Sequence, residues 1–461
     1  MKPSHRVLGL TMAGVVLVTM LGFGAAMVAA QATPPAQSSH TLLQNLSGGE
    51  ISVVVEFVDT DGTSPHDVAV NLPANGATTI HSDDYDELGT DWRGSMVVYS
   101  SGPLLSTVIL YGYPTAHSIY EGYSEGEAGT DLFLPSVHWN PLGQWSTIAI
   151  QNTDTEDADA EITYYDRDGN AVAGPFAVTI PVGASEFRES QTDCAGGVCG
   201  DPPVGSVRVT STNGKKLAAV VQENVHDGTY AYKSFELSAG DTKFLLPSVH
   251  RNPGGQYSHI LVQNTSETIS ATATISYTKQ DGTFANAFSH EIAPKGSWTF
   301  HTDGFEPSED PANLGNVGSA IVTSDGPDIF VTVIETVLGR PYCYRGFNST
   351  AGSDSLMLPS VHRNPGGQYS HVLVQNTSSS TSTDVTIEYY NQDGSLADSF
   401  PQTLNPNGSY TFHTDGFVLS EDPTNLGNVG TAVLTSDSTD VVSIVIETIH
   451  MVPAAYEAFE Q

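Results

Sequence analysis

One segment of this chain occurs three times at a constant spacing. The string LPSVHRNPGGQYSH begins at Leu246 and again at Leu358, and a looser copy, LPSVHWNPLGQWST, begins at Leu134, so each copy starts 112 residues after the one before. A period near 110 residues is longer than a solenoid turn or a propeller blade, whose units have about 20–50 residues. It is the length of a small domain, which predicts an array of similar domains.

Further landmarks recur and define four repeats. An Asp-Gly pair recurs at Asp61, Asp168, Asp281 and Asp393, and a Gln-Asn pair recurs at Gln44, Gln151, Gln263 and Gln375. We place the repeats at residues 33–130, 131–243, 244–355 and 356–461. The third and fourth are close copies, whereas the first has TPPAQSSH in place of the LPSV leader.

The N-terminus has the pattern of an export signal. Lys2 and Arg6 precede an apolar run from Val7 to Ala30, and the small residues Ala30 and Ala32 flank Gln31. This pattern predicts a signal peptide over residues 1–32 and bacterial-type export to the medium or the cell surface. Because the run is long enough to span a bilayer, an uncleaved anchor is the alternative.

The charge balance limits the classes of partner. The chain has 52 acidic and 16 basic residues, for a formal net charge of -36. Such a surface repels nucleic acid and anionic lipid, which excludes both as expected partners. It suits a soluble extracellular protein, a salt-rich habitat or a protein that collects cations, and these three readings stay open.

The cysteines fit an exported chain. Cys194 and Cys199 bracket the flexible loop Ala-Gly-Gly-Val, and export permits a short disulfide between them. Cys343 lies between two tyrosines and is interpreted as a packed core thiol.

The pattern within one repeat predicts strands. In ATATISYT, at residues 271–278, apolar and polar residues alternate with the period of a half-buried strand. Asp281-Gly282 and Pro294-Lys295-Gly296 then follow as turns. About seven short strands in about 110 residues, without a convincing helix, predict an all-β chain of four antiparallel sandwiches of immunoglobulin or fibronectin type.

A family resemblance points the same way. The combination of LPSV…GQYSHILVQN, YYxxDG and VGSA…TSD resembles a tandem immunoglobulin-like β-sandwich module of secreted bacterial proteins. The resemblance covers essentially the whole chain after residue 32. It implies an extracellular β-sandwich array and implies nothing about catalysis.

Two recurring motifs look chemical but are interpreted as turns. The repeated HRNPGGQYSH segment places His250 nine residues before His259, a spacing that could serve a metal, but the second repeat has Trp139 and Thr147 at two of these positions. The Asp-Gly pairs resemble the start of a calcium loop but lack the Glu that completes one. We therefore expect a polar turn and a hairpin turn.

The strongest candidate site is a long acidic loop before the sixth strand. Clustered carboxylates with Asn and carbonyl oxygens suit Ca²⁺, and loops of this length are usually functional or disordered. The alternatives are a protein or glycan contact and a loop with no ligand. The candidate ligands are Asp83, Asp84, Asp86, Asp303, Glu309, Asp310, Asp415, Glu421 and Asp422. In the second repeat the cysteine pair would staple this loop instead.

No catalytic site is predicted. Glu223, Glu335 and Glu447 recur near strand ends, where a carboxylate normally faces solvent or accepts a backbone hydrogen bond, and the first repeat has Leu110 there. No nucleophile elbow, zinc-protease, phosphate-loop or dinucleotide motif is present in the sequence. We expect a structural residue rather than a catalytic one.

The sequence therefore predicts a secreted, non-enzymatic array with a structural, adhesive or spacer function. Short connections between repeats favour a semi-rigid rod about 140–160 Å long. The expected partner is a cell-surface protein or polysaccharide, and no cofactor except Ca²⁺ is expected. One alternative is a glycan-binding array that uses Trp139, Trp145 or Trp298 as platforms. The other is a polymerising cell-surface subunit, because the missing leader strand leaves a sheet edge open.

Overall fold

A computed structural model describes residues 37–460, apart from residues 75, 90–91, 113–115, 125, 141–142, 226–227, 253–254, 305–307, 365–366, 417 and 450–451. The expected signal peptide at residues 1–32 lies outside the described residues. Strands make up 63% of the structure and helices 4%, with antiparallel sheets in repeated groups, which confirms the all-β fold class. Among the described residues, no helix has both the length and the apolar character needed to cross a bilayer.

The first two repeats contain the following elements. In repeat 1 they are β1 (Gln37–Asn45), β2 (Ile51–Asp59), β3 (His66–Leu72), β4 (Ala77–His81), the 3-10 turns η1 (Ser82–Asp84) and η2 (Asp86–Leu88), β5 (Gly94–Ser100), β6 (Leu104–Gly112) and β7 (Ala116–Glu121). In repeat 2 they are β8 (Asp131–Asn140), β9 (Gln144–Asn152), β10 (Ala158–Tyr165), β11 (Ala171–Ile180), β12 (Ser185–Glu189), α1 (Ser190–Asp193), η3 (Ala195–Gly197), β13 (Val204–Ser211), β14 (Leu217–Val225), β15 (Gly228–Lys233), β16 (Phe235–Glu236) and η4 (Leu237–Ala239).

The last two repeats follow the same order. In repeat 3 the elements are β17 (Lys243–Asn252), β18 (Gln256–Asn264), β19 (Ala271–Lys279), β20 (Phe284–Ile292), β21 (Ser297–His301), β22 (Val317–Ser324), β23 (Ile329–Val337), β24 (Arg340–Arg345) and β25 (Phe347–Asn348). In repeat 4 they are β26 (Ser355–Asn364), β27 (Gln368–Asn376), β28 (Thr383–Asn391), β29 (Leu396–Leu404), β30 (Ser409–His413), β31 (Val429–Ser436), β32 (Val441–Ile449), β33 (Val452–Glu457) and β34 (Phe459–Glu460).

Repeats 2, 3 and 4 are each built from two sheets joined by one hairpin. In repeat 2 one sheet has the order β11-β10-β13-β8, the other has β14 between β9 and β15, and β12 pairs with β9. The hairpin between β8 and β9 connects them through Trp139 and Trp145. Side chains alternate as the sequence predicts: along β19, Ala271, Ala273 and Ile275 are buried between partly exposed neighbours. Burial of one such Ile contributes about 1.5–3 kcal/mol.

The first strand of each complete repeat, which we call the leader strand (β8, β17 and β26), is clamped by a buried carboxylate. Glu335 has no exposed surface, and its carboxylate contacts His250 Nδ1 at 3.0 Å and accepts hydrogen bonds from Ser248 Oγ at 3.0 Å and Ser258 Oγ at 2.9 Å. The expectation that this glutamate faces solvent or the backbone is wrong, because its partners are side chains on the leader strand and on β18.

The clamp recurs wherever a leader strand exists. Glu223 contacts His138 at 3.1 Å, and Glu447 contacts His362 at 3.3 Å. Repeat 1 has the sheet order β3-β2-β5, with no leader strand among the described residues, and Leu110 holds the position of the glutamate. Within the part of the chain that the structure describes, the carboxylate is thus replaced in the repeat where no leader strand is seen.

The four repeats pack in a closed cycle. The final hairpin strands contact one another as β7–β15, β15–β24, β24–β33 and β33–β7. At the closing seam the Glu457 N–H donates to Glu121 Oε1 at 2.6 Å, and at the seam before it the Arg345 N–H donates to Glu457 Oε1 at 2.7 Å. The expected end-to-end rod is therefore wrong, because the last repeat returns to the first.

Leader strands build the seams of this cycle. The strand β8 packs against β18 and β23, β17 packs against β27 and β32, and β26 packs against β1 and β6. In the core of repeat 4, Ile119 from repeat 1 lies among the buried residues, and in the core of repeat 3, Phe133 comes from repeat 2. The seam between the last and first repeats is therefore of the same kind as the two before it.

The Asp-Gly turns form a second contact between successive repeats. The Ser297 N–H donates to Arg167 O at 3.0 Å, and the Ser409 N–H donates to Gln280 O at 3.1 Å. Gly282 has a φ of 85°, and a Cβ at this position would lie 2.8 Å from Pro406 O. The motif is therefore both a hairpin turn and an inter-repeat joint, and glycine serves both.

Candidate metal centres

Several of the predicted calcium ligands are engaged within their own repeat. Asp310 forms a two-pronged ion pair with Arg251 at 2.8 and 2.7 Å, and Asp422 forms the same pair with Arg363 at 2.7 and 2.8 Å. These arginines belong to the HRNPGGQYSH segments. The pairs anchor the acidic loop to the leader strand.

The adjacent glutamates also have partners. Glu309 accepts a hydrogen bond from Trp298 Nε1 at 3.2 Å, and Glu421 accepts one from the Tyr410 hydroxyl. In repeat 1, Asp84 and Asp86 are exposed and lie in separate 3-10 turns. The predicted ligands therefore do not gather around one point within their loops.

Three of the predicted carboxylates lie beside pairs of histidines, a residue type that can ligate metal ions. Asp303 lies with His259 and His301, Asp415 with His371 and His413, and Asp83 with His40 and His81, and in each group one potential ligand atom per residue lies within 4.8 Å of the others. We call these groups the His-His-Asp clusters of repeats 3, 4 and 1. Each offers two imidazole nitrogens and one carboxylate oxygen.

The geometry is the same in repeats 3 and 4 and similar in repeat 1. The distance from the first histidine Nε2 to the aspartate oxygen is 3.2 Å for His259 and for His371, and 3.7 Å for His40. The two histidine rings lie 4.6, 4.6 and 4.0 Å apart in repeats 3, 4 and 1, with interplanar angles between 63° and 68°.

Strand pairing brings the two histidines of a cluster together. His259 on β18 is directly opposite His301 on β21, and the same register joins the histidine pairs of repeats 4 and 1. Directly opposite residues in antiparallel strands have Cβ atoms about 4.5–5.5 Å apart. Both imidazoles can therefore reach one ion.

A buried hydroxyl then positions the aspartate. Thr302 follows His301, and its hydroxyl donates to His250 O at 2.6 Å and accepts from the Ser258 N–H at 2.7 Å. Thr414 makes the equivalent bonds in repeat 4. Because this residue is held in the core, the next side chain, Asp303, is returned to the surface beside the histidines.

Burial affects the protonation of the second histidine. Burial and the neighbouring His259 lower the pKa of His301 to about 4, and burial and His371 lower the pKa of His413 to about 4. His301 and His413 are therefore neutral at neutral pH. The neutral form carries the lone pair that binds a metal.

Repeat 2 keeps the supporting structure but not the cluster. Ser190 takes the place of Thr302 and donates to His138 O at 2.5 Å. The three cluster positions are Thr147, Glu189 and Gln191. Glu189 accepts a hydrogen bond from Thr147 Oγ1 at 2.8 Å and pairs with Arg93 of repeat 1 at 3.0 Å.

The His-x-Asp half of these clusters was missed in the sequence. His250 and His259, nine residues apart in the sequence, do not share a site: His250 contacts the buried Glu335, whereas His259 lies opposite His301 on the neighbouring strand. The signal that would have found the clusters is the triplet His-Ser/Thr-Asp, which recurs at residues 81–83, 301–303 and 413–415.

The long loop of repeat 2 has a different construction. Cys194 and Cys199 form a disulfide, with their Cα atoms 5.2 Å apart. Trp139 packs beneath this loop with only 4% of its surface exposed, so it is not an exposed glycan platform. Cys343 is buried and its thiol contacts Ala231 O at 3.0 Å, at the centre of the cycle; burial raises the pKa of this thiol.

No protein-family model and no curated protein matches the chain. A crystal structure titled Thermotoga maritima 1070 aligns over 24% of this chain and 95% of its own, with 14% identity and a TM-score of 0.18. A tetra-tandem repeat from the extending region of a large adhesion protein aligns over 90% of this chain and 93% of its own, with 13% identity and a TM-score of 0.13.

These scores carry no argument about function. The fold defines the class of the chain: it is a protein of tandem all-β repeats.

Proposed function

We propose that this chain is an exported, non-enzymatic attachment scaffold that binds an extracellular surface through several copies of one loop. The closed cycle of repeats is the observation that carries this proposal. Repeats that contact their neighbours through the same surfaces are related by rotation about a common axis. Equivalent loops therefore lie at the same end of the cycle, where they can bind side by side.

The loops between the fifth and sixth strands are the proposed contact surface. In repeat 4 the tip residue Leu419 is 84% exposed, and in repeat 2 the tip residue Val198 is 58% exposed. Both residues follow the end of the fifth strand of their repeat, which is β12 in repeat 2 and β30 in repeat 4. Once one loop is bound, the other loops are held close to the same surface at a high effective concentration. The overall affinity for the surface therefore rises even when each single contact is weak.

The buried glutamates hold strands together, and this structural role supports a non-enzymatic function. Glu335 and its counterparts, the most deeply buried carboxylates with histidine neighbours, hold the leader strands. Their burial keeps them from a substrate. We therefore assign them to stability.

The test is co-sedimentation of the exported protein with cell envelopes of the organism that encodes it. Replacement of both tip residues, Leu419→Ser with Val198→Ser, is expected to weaken binding at least tenfold. The matched control is Phe284→Ser, which removes a 63% exposed apolar side chain outside these loops and should leave binding unchanged. Equal binding by all three proteins would reject the loops as the contact surface.

A second candidate function is self-assembly through strand addition. In repeat 1, β5 pairs with β2, and its other edge, which the leader strand covers in repeats 2–4, has no strand beside it among the described residues. An open edge can accept a strand from another chain. Sedimentation velocity at rising protein concentration tests this: growing oligomers support it, and a constant monomer mass rejects it.

A further inference from the structure

We propose that the His-His-Asp clusters of repeats 1, 3 and 4 are binding sites for divalent transition-metal ions of the zinc class. This inference goes beyond surface attachment and does not depend on it. Each site uses two histidines from facing strands and one aspartate from the start of the long loop.

The ligand types favour this class of ion over calcium. Imidazole nitrogen suits zinc, copper, iron and nickel, whereas Ca²⁺ takes six to eight oxygen ligands. Each cluster offers two nitrogens and one carboxylate, and the carboxylates that would complete an oxygen cage in repeats 3 and 4, Asp310 and Asp422, are paired with arginines. A calcium site at the same loops would need those pairs to break.

The geometry suits three protein ligands with open positions. A tetrahedral ion with metal–nitrogen distances near 2.0–2.1 Å holds its ligand atoms less than 4.8 Å apart. The candidate ligand atoms of each cluster lie within 4.8 Å of one another, so small side-chain rotations bring them to bonding distance. His259 and Asp303 expose 30% and 24% of their side chains. Water or a ligand from a partner can therefore fill the remaining positions.

The repeats that carry the His-His-Asp cluster are not the same as the repeats that carry the leader strand, which argues against a purely structural role for the cluster. Repeat 1 has no leader strand among the described residues and has Leu110 at the position of Glu335, yet it keeps both histidines and the aspartate. Repeat 2 keeps the leader strand, the buried glutamate and the anchoring Ser190, yet none of the three cluster residues. A repeat can therefore fold without the cluster, as repeat 2 does. A repeat that differs from the others in its framework can also keep the cluster, as repeat 1 does.

The test is equilibrium dialysis of the exported protein, purified without a histidine tag, against Zn²⁺, with elemental analysis of the bound metal. Three zinc ions per chain are expected. His301→Ala should reduce the number to two, and His301→Ala with His413→Ala should reduce it to one. An excess of Ca²⁺ should not displace the zinc.

Two matched variants control this result. His290→Ala removes a histidine that stacks on Trp298 outside the clusters and should leave three zinc ions bound. Thr147→His with Glu189→His and Gln191→Asp rebuilds the cluster on the existing framework of repeat 2 and should add a fourth. Thermal unfolding with a wild-type midpoint in the absence of metal shows that each variant is folded.

The outcomes that overturn the proposal are specific. They are a folded wild-type protein that binds no zinc, an unchanged zinc number in folded His301→Ala, or displacement of the zinc by Ca²⁺. The last result would transfer these sites to the calcium class. Envelope binding is measured separately, so a failure of the attachment proposal leaves this result unaffected.

Discussion

Single residues in this molecule show how a buried charge is tolerated. A buried carboxylate is costly unless a partner and hydrogen bonds compensate it. Against the effect of burial, the charge of His250 and the surrounding hydrogen bonds lower the pKa of Glu335, and the charge of Glu335 raises the pKa of His250. Both shifts favour the ionised forms of a pair that joins the leader strand to the opposite sheet.

Breaking this pair should be strongly destabilising. Glu335→Ala leaves His250 buried without its charge partner, and we expect a loss of about 3–5 kcal/mol in the free energy of unfolding. Replacing both partners, Glu335→Leu with His250→Leu, should recover part of that loss because neither charge then remains. Guanidinium unfolding followed by tryptophan fluorescence measures both, and a loss below about 1 kcal/mol in the single variant would contradict the clamp.

The closing seam should respond to pH. Burial, and then the neighbouring carboxylate of Glu457, raise the pKa of Glu121 to about 7. The pKa of Glu121 is higher in the folded state than in the unfolded state, where it is near 4.5. Its contribution to the free energy of unfolding is therefore fully present below pH 4.5 and is lost as the pH rises through about 7. The loss amounts to on the order of 3 kcal/mol.

Glu121→Gln should remove this dependence, because glutamine stays neutral and keeps an oxygen that accepts from the Glu457 N–H. The difference in unfolding free energy between variant and wild type, measured from pH 4.5 to pH 8, should grow in favour of the variant as the pH rises. A difference that stays constant across that range would show that Glu121 does not titrate in the folded state.

At the scale of elements, the recurring turns have a function that is not visible within one repeat. Asp-Gly turns are expected wherever two strands form a hairpin, and all four occur. What the turns contact depends on their place in the cycle. Gly169 and Gly282 abut the Pro-containing turn of the next repeat, whereas Gly394 has nothing within 4 Å of an added Cβ.

This contrast gives a matched pair of substitutions. Gly282→Ala and Gly394→Ala both force alanine to a φ above 80°, at a cost of about 1–2 kcal/mol each. Only Gly282→Ala also brings a Cβ to 2.8 Å from Pro406 O. We expect it to lower the thermal midpoint further by an amount equivalent to about 1 kcal/mol or more. Equal thermal midpoints of the two variants in calorimetry would mean that the contact between Gly282 and the next repeat adjusts without a loss of stability.

At the scale of the whole molecule, closure depends on contacts between residues far apart in the chain. The Glu457 N–H and the Glu121 carboxylate are separated by 336 positions, and β7 packs against both β15 and β33. Small residues line the centre of the cycle, including Ser118, Ala231 and Ala454, so four strands can approach closely there. No linker has to extend, because the chain moves directly from one repeat to the next.

Closure predicts a small radius of gyration for residues 36–461. The scaling for compact chains gives about 22 Å, whereas an end-to-end array about 140–160 Å long gives about 40–46 Å. Small-angle X-ray scattering of residues 36–461 distinguishes these values. A radius near the larger value would show that the first and last repeats do not stay together in solution.

Local patterns were sufficient to predict the strands and the turns. Alternation along residues 271–278 and the Asp-Gly pairs depend on neighbours a few positions away, so the sequence determines them by itself. The acidic loops were also found, and three of the nine predicted carboxylates, Asp83, Asp303 and Asp415, lie in the His-His-Asp clusters.

Only the tertiary structure decided which side chains meet. The sequence separates His259 from His301 by 42 positions, and strand register makes them opposite neighbours. The sequence presents four similar units in a line, and packing of the leader strands turns that line into a cycle. The physical reason is the same in both cases: register and closure are set by which apolar faces bury one another, and that depends on the whole chain rather than on any segment of it.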